Sequence, residues 1–365
     1  MAQIDKPSLH FNTKLYTGNA GTNAITGVGF QPDLIWGKDR GGDRHWWADA
    51  VRGKSGTGYY LISSTNDEAQ TGNYPPDGVT TIGSDGFTLG ANSSNDYGGW
   101  SNEINQNSAN YVTWNWKANG AGSANSDGAT ASTVSVNSTS KFSIVKFTGT
   151  GSATTVGHGL GVAPNTIFFK NLIDANDWFV YSSAMGYEMT TPDPETDYMK
   201  LNQVNTRADD ASAFNDTAPT SSVFSVGSAS NVNGSGDACI AYCFTDVKGY
   251  CKSGGYTGNH NANGTFIYTG FKPAFVIIKA INYASQNWNV YDNKRPGYNI
   301  VTNHLYVNTN GAEITSGANQ IELFSNGFKC KASNDGANRG SEYYMYVAIA
   351  ENPIVGSNNI PAVAG

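Results

Sequence analysis

Residues 39–53 read DRGGDRHWWADAVRG and gather more reactive side chains than any other stretch of the chain. An imidazole beside a carboxylate can relay a proton, so His45 with Asp43 or Asp49 is the first candidate for acid–base chemistry. Two arguments weigh against it. Asp49 and Arg52 recur as Asp292 and Arg295 at the same spacing, while a related stretch has Ser182 and Met185, so both charges are absent together. That pattern fits a structural ion pair. His45 is expected to have no counterpart in the related stretches, where Trp178 and Trp288 align with Trp47, which leaves it a candidate for ligand binding.

The cysteines raise a metal reading through Cys239-x3-Cys243-x7-Cys251. On one strand, residues four apart lie ~13 Å apart, too far for a shared zinc with ~2.3 Å bonds. Cys330 stands where related stretches have Leu89 and Val226, as a small buried apolar group would. The loops DPETDY at 193–198 and SNDGANRG at 333–340 offer oxygen ligands for calcium, but neither has the EF-hand spacing. No phosphate-binding loop, zinc-protease helix, nucleophile elbow or dinucleotide fingerprint is present. No catalytic residue, cofactor or metal site is therefore assigned.

Recognition chemistry has better candidates. Trp46 occupies the strand parity opposite Trp47 and is expected to point outward. The stretch 92–110, NSSNDYGGWSNEINQNSAN, sets Tyr97 and Trp100 among Asn, Ser and Gly, the mixture of recognition loops. His45, Trp46, Tyr97 and Trp100 form the expected ligand-binding set, with a surface saccharide as the expected ligand.

These residues belong to a phrase written three times: GFQPDLIWGK at 29–38, GVAPNTIFFK at 161–170 and GFKPAFVIIK at 270–279. Repetition at a long period decides architecture before any single motif does. Pro32, Pro164 and Pro273 are each followed six residues later by Lys38, Lys170 and Lys279. Each phrase has an aromatic-Thr-Gly opening upstream and an aromatic strand downstream: YVTWNWKA, CIAYCFTD and YMYVAIAE. Apolar residues on both parities predict a central strand covered on both faces, entered by a Gly-Pro turn. The Lys is expected at a solvated strand end or in a salt bridge.

The expected fold is all-β: three tandem homologous sandwich-like domains. An N-terminal arm covers 1–10, unit one 11–119, a flexible Gly/Ser/Thr-rich linker 120–140, unit two 141–249, unit three 250–353 and a C-terminal arm 354–365. One short helical turn is expected in 205–214. Alternation puts Val112, Trp114 and Trp116 on a core face, matched by Ile240, Tyr242 and Phe244 and by Met345, Val347 and Ile349.

Composition narrows the function. Charged residues are 14% of the chain and the net charge is −7, without the clustered cations that nucleic acid requires. No stretch approaches ~18 continuous apolar residues, so no membrane insertion is expected. MAQIDKPSLHF has no apolar run long enough for a signal peptide, so none is expected.

GFQPDLIWGKDR, HWWADAVRG, SDGFTLG and YVTWNWKANG together resemble the repeated domain of marine bacteriophage virion proteins, often described as tail-fibre or structural proteins. Unit one matches nearly throughout and departs at Gly37 and Ala50; units two and three keep the skeleton. The resemblance implies a virion component and does not choose between tail and head; the leading expectation is a non-enzymatic tail fibre or tail-associated appendage contacting the host surface. A capsid decoration or head-fibre protein is the alternative, and a polysaccharide-degrading enzyme the third. It also implies other virion proteins as partners and self-association, with a trimer expected.

Overall fold

The computed structural model describes residues 4–53, 61–67, 78–91, 100–187, 192–317 and 319–354, the side chains of 100–102 excepted. The protein is all-β. Each unit has a large antiparallel sheet with one recurring strand order. In unit one this runs Phe11–Thr17, Asn110–Trp116, Leu34–Asp39, Trp46–Asp49, Leu61–Ile62. We call these the opening, closing, phrase, return and edge strands. Unit three repeats them as Cys251–Thr257, Tyr343–Pro353, Phe271–Ala280, Asn289–Asp292 and Leu305–Tyr306. Unit two uses Phe142–Thr148, Ala238–Phe244, Thr166–Asn171, Phe179–Ser182 and Asp197–Lys200, extended at both edges to eight strands.

The phrase strand is the third of the five, and its residues are buried on both parities in unit one and unit two. The phrase glycines adopt left-handed φ, +88° at Gly29, +71° at Gly161 and +83° at Gly270, a conformation that costs a side chain about 1–2 kcal/mol. Pro32 and Pro164 precede their strands. Pro273 instead lies within its strand, where the register with the closing strand shifts, a bulge being one of the few sheet positions open to proline.

A small sheet covers one face of each large sheet. It comprises Asn23–Thr26, Gly86–Leu89 and Val79–Gly83 in unit one; Thr154–Gly157 and Val223–Val226 in unit two; and Phe266–Tyr268, Gly327–Cys330 and Ile321–Phe324 in unit three. Three separate apolar clusters fill these sandwiches.

The opposite faces of the large sheets do not meet solvent. Val112, Trp114 and Trp116, Ile240, Tyr242 and Phe244, and Met345, Val347 and Ile349 all enter one common cluster. Ring centroids are 5.8 Å apart for Trp116–Phe244, 5.6 Å for Trp116–Phe275 and 5.1 Å for Trp47–Trp178. The expected core face is thus the surface through which the units join. Aromatic rings at these separations contribute attraction beyond their area burial.

Residues 120–140 are not a flexible linker. Ser123–Asn125 and Ser132–Asn137 are strands that widen the unit-two sheet. Ser135 Oγ accepts from Asn119 N at 2.8 Å, and Asn137 Nδ2 bonds His10 Nδ1 at 2.9 Å. Alternating Thr and Val in TVSV gives strand propensity that the Gly/Ser/Thr composition conceals. Ala211–Phe214 forms the short helix within 205–214, capped by Asp210. Among the described residues no helix is long and apolar enough to cross a membrane.

Candidate functional site

Of the four residues expected to bind ligand, two, His45 and Trp46, are interior. Trp46 is fully buried. Its register partner is Gly37, and a Cβ at Gly37 would overlap the Trp46 indole. The partner pairs in the other units are Phe169 with Phe179 and Ile278 with Asn289. Gly37 and Trp46 are therefore a complementary small–large pair, and Trp46 offers no face to a ligand. Tyr97 lies outside the described residues. Trp100 begins the helix Trp100–Asn105.

His45 is also buried, and it has counterparts. The phrase–return registers align Trp46 with Phe179 and Asn289, so His45 corresponds to Trp178 and Trp288 rather than to nothing. All three make the same contact with a neighbouring unit. Trp178 Nε1 donates to Ile62 O at 2.8 Å, and Trp288 Nε1 to Lys200 O at 2.9 Å. Trp36 Nε1 donates to His45 Nδ1 at 3.0 Å, which leaves the His45 proton on Nε2, 3.1 Å from Tyr306 O. Each acceptor is on an edge strand, and Ile62, Lys200 and Tyr306 oppose Trp46, Phe179 and Asn289. Unit one thus bonds unit three, unit three bonds unit two, and unit two bonds unit one, in a closed ring. Burial holds the His45 imidazole well below its ordinary pKa, and the Lys38 charge adds to this. A neutral ring locked between two bonds is structural.

The repeat lysines are not solvated, and among the described residues none forms a salt bridge. Lys38, Lys170 and Lys279 are fully buried, and each ammonium is held by backbone carbonyls. Lys38 Nζ donates to Asp39 O at 2.9 Å and Asp43 O at 2.6 Å, and also to Gly42 O. Lys170 Nζ donates to Asn171 O at 2.7 Å and Asp174 O at 3.2 Å. Lys279 Nζ donates to Gln286 O at 2.5 Å and, across the unit boundary, to Val204 O at 3.1 Å. Burial lowers the three to about 8, 8 and 7. The lysine gathers the loop after the phrase strand, where many carbonyls converge without strand partners.

Asp49–Arg52 and Asp292–Arg295 form buried ion pairs, the latter at 2.6 Å. Each carboxylate also meets a closing strand of another unit: Tyr242 Oη donates to Asp49 Oδ2 at 2.8 Å, and Trp114 Nε1 to Asp292 Oδ2 at 3.1 Å. The closing-strand position of Trp114 and Tyr242 is Val347 in unit three. Where that donor is missing, Ser182 and Met185 replace the ion pair, since a buried charge without its full set of partners is costly.

One recurring group was not found from sequence. Asn105, Asn233 and Asn338 are buried at the ends of short helices, each seven residues before Val112, Ile240 or Met345. Asn233 Nδ2 donates to Gly227 O at 2.6 Å and Ser152 O at 2.7 Å, while its Oδ1 accepts from Thr150 N at 2.7 Å. Asn105 and Asn338 tie their loops in the same manner. The residue after each Asn packs on the aromatic-Thr-Gly glycine: a Cβ at Gly18, Gly149 or Gly258 would overlap the carbonyl of Gln106, Gly234 or Arg339. The fixed offset of seven was the available signal.

All four cysteines are free and buried. Cys239 and Cys243 face the unit-two sandwich interior, whereas Cys251 faces the common core. In the loops considered for calcium, Asp197 holds Arg207 at 3.4 Å and Asp335 holds Arg339 at 2.8 Å. Among the described residues no group of three His, Cys, Asp or Glu is arranged to hold a metal ion.

Among the described residues, the exposed aromatic rings lie in unit three. Phe266 is 44% exposed and Tyr268 62%. They stand two apart on the edge strand of the small sheet, so they share its outer face. The equivalent positions, fixed by register, are Ala24 and Thr26 in unit one and Thr155 and Gly157 in unit two. Phe324 meets Phe266 edge-on at 5.8 Å. Tyr298, 80% exposed, stands beside the same sheet, because the side chain of Asn299 bonds both backbone groups of Leu323. Lys329, opposite Phe266, bonds Asn263. A cavity of about 490 Å³ opens next to Tyr268, lined also by Asp246, Lys248, Lys252, Thr269 and Ile354.

No curated protein and no solved structure matches the chain. One family model does match, over residues 6–353, and so spans all three units and the 120–140 segment as a single module. The chain belongs to that family, a domain of unknown function designated DUF7483.

Proposed function

We propose that this protein is a non-enzymatic component of a bacteriophage virion, a tail-associated appendage that contacts the host surface through unit three. The observation that carries the reading is the asymmetry of the outer sheets. Phe266 and Tyr268 are exposed at positions that are Ala, Thr or Gly in the other units. A soluble protein gains nothing in stability from such rings, and exposed apolar patches rimmed by polar groups mark interaction sites. Aromatic faces beside Asn and Lys suit a surface saccharide, with apolar area for affinity and polar groups for orientation. The resemblance of the GFxPD-type phrases to virion proteins supplies the setting.

The second reading, a capsid decoration protein, is favoured by the common core. Units arranged around one core add breadth rather than reach, whereas a fibre needs length. Gold-labelled antibody against the protein on intact particles tests both. Label at the tail, with purified protein competing for adsorption to the host, is the expected result. Label spread over the head, without competition, would replace the first reading by the second.

A further inference from the structure

The cavity beside Tyr268 has a chemistry distinct from the flat face that leads to it. Its floor is the connection between units two and three, Asp246–Lys252, and its rim is the turn Tyr268–Gly270. The Tyr268 ring lies over Gly270, 3.7–3.9 Å from where a Cβ would stand, so one ring both ends the aromatic face and walls the cavity. Val247, Cys251 and Ile354 supply apolar contact. The charges do not balance. Lys252 bonds Asp246 at 2.5 Å, and the other Asp246 oxygen accepts from Ser253 N at 2.6 Å. Lys248 has no carboxylate within ion-pair distance among the described residues, and it is exposed. The lining thus keeps one uncommitted cation on a molecule whose net charge is −7, a local field that selects an anionic group. The volume, about 490 Å³, falls within the range of small-ligand sites and accommodates one sugar ring.

We infer that this cavity is a subsite for a carboxylated sugar, a hexuronate at the end of an acidic polysaccharide, with its ring against Tyr268 and its carboxylate on Lys248. The inference rests on the reading of unit three as the recognition surface and names the class of sugar it takes. The two are separable by experiment. Galacturonate and glucuronate, and their neutral counterparts galactose and glucose, would be titrated into the full-length protein by NMR or calorimetry. At least one uronate is expected to bind with a Kd of about 1 mM or tighter, and its neutral counterpart about tenfold more weakly. Lys248→Ala should cost the uronate about tenfold, leave the neutral sugar unchanged and leave the melting temperature unchanged, because Lys248 is exposed. Rising salt should weaken only the uronate.

Equal affinity for acidic and neutral sugars, or binding of neither uronate, overturns the inference. If Phe266→Ala with Tyr268→Ala still abolishes host adsorption in either of those cases, the recognition surface stands and only its sugar class is wrong. If the double substitution leaves adsorption intact while uronate binding depends on Lys248, the subsite stands and the host-contact reading fails.

Discussion

At the scale of single residues, burial decides roles that residue type leaves open. Lys279 has no carboxylate partner among the described residues, and burial alone lowers it to about 7. The folded state therefore binds fewer protons than the unfolded state between that value and the ordinary 10.5. The Lys279 contribution to stability therefore rises with pH across this window, and Lys38 and Lys170 contribute in the same direction above about 8. The buried cysteines and tyrosines oppose this only near and above their ordinary values of 9 and 10, because burial raises them. Urea unfolding between pH 7 and 8.5 should show wild-type stability climbing. Lys279→Met should lose about 1 kcal/mol per pH unit of that slope. Parallel slopes would mean that Lys279 is solvated.

Trp46 tests the correction to the expected binding set. As a surface ring it could be removed without effect. As a buried ring against Gly37 it cannot, and Trp46→Ala should cost about 3–5 kcal/mol. Gly37→Val should destabilise by about 1–3 kcal/mol through overpacking. Thermal melts of the two variants check both. Neither role was legible beforehand, since a strand shows which residues share a face and not which face is covered. The alignment of His45 with Trp178 and Trp288 was hidden because the loop between strands is one residue longer in unit two and two longer in unit three, which only the ladder register resolves.

At the scale of elements, the phrase and closing strands of all three units were legible. The closing strands carry alternation, the phrase strands are apolar on both parities, and the phrase glycines and prolines mark their turns. The short helices were harder: with four residues in units two and three they have no periodicity to read. Their asparagines take over the satisfaction of loop backbone that strands do elsewhere. Asn233→Ala leaves Gly227 O and Ser152 O without that donor and should cost about 1–3 kcal/mol. The same change at exposed Asn205, whose backbone is not left-handed, should fall within about 0.5 kcal/mol. Chemical denaturation of the pair gives the comparison. The 120–140 segment was misread because Ser and Thr serve loops and strands alike, and only its partners, Phe142–Thr148 and the loop at Asn119, decide between them.

At the scale of the whole molecule, the three units fold as one body. The His45, Trp178 and Trp288 ring nitrogens close a cycle, and the indoles of unit one fill the interior of the common core. A fragment of residues 141–353 lacks Trp36, Trp47, Trp114 and Trp116 and exposes the matching faces of units two and three. It should lose the cooperative transition of the full chain, which calorimetry would record as a broad or absent peak. The repeat was visible in the sequence, but the joining of its copies was not. A face that is apolar in every copy reads equally as the interior of each domain or as the surface between domains.

Host contact through unit three, as proposed, depends on two exposed rings. Phe266 and Tyr268 are exposed on an edge strand, so replacing both by Ala removes contact area without opening a cavity. The decisive measurement is adsorption to host cells of the wild type and of the Phe266→Ala, Tyr268→Ala double variant, with melting temperatures taken alongside. The expected result is an unchanged melting temperature and at least a tenfold loss of adsorption, as for the loss of hot-spot aromatics worth about 2 kcal/mol. Equal adsorption by the two proteins would contradict it.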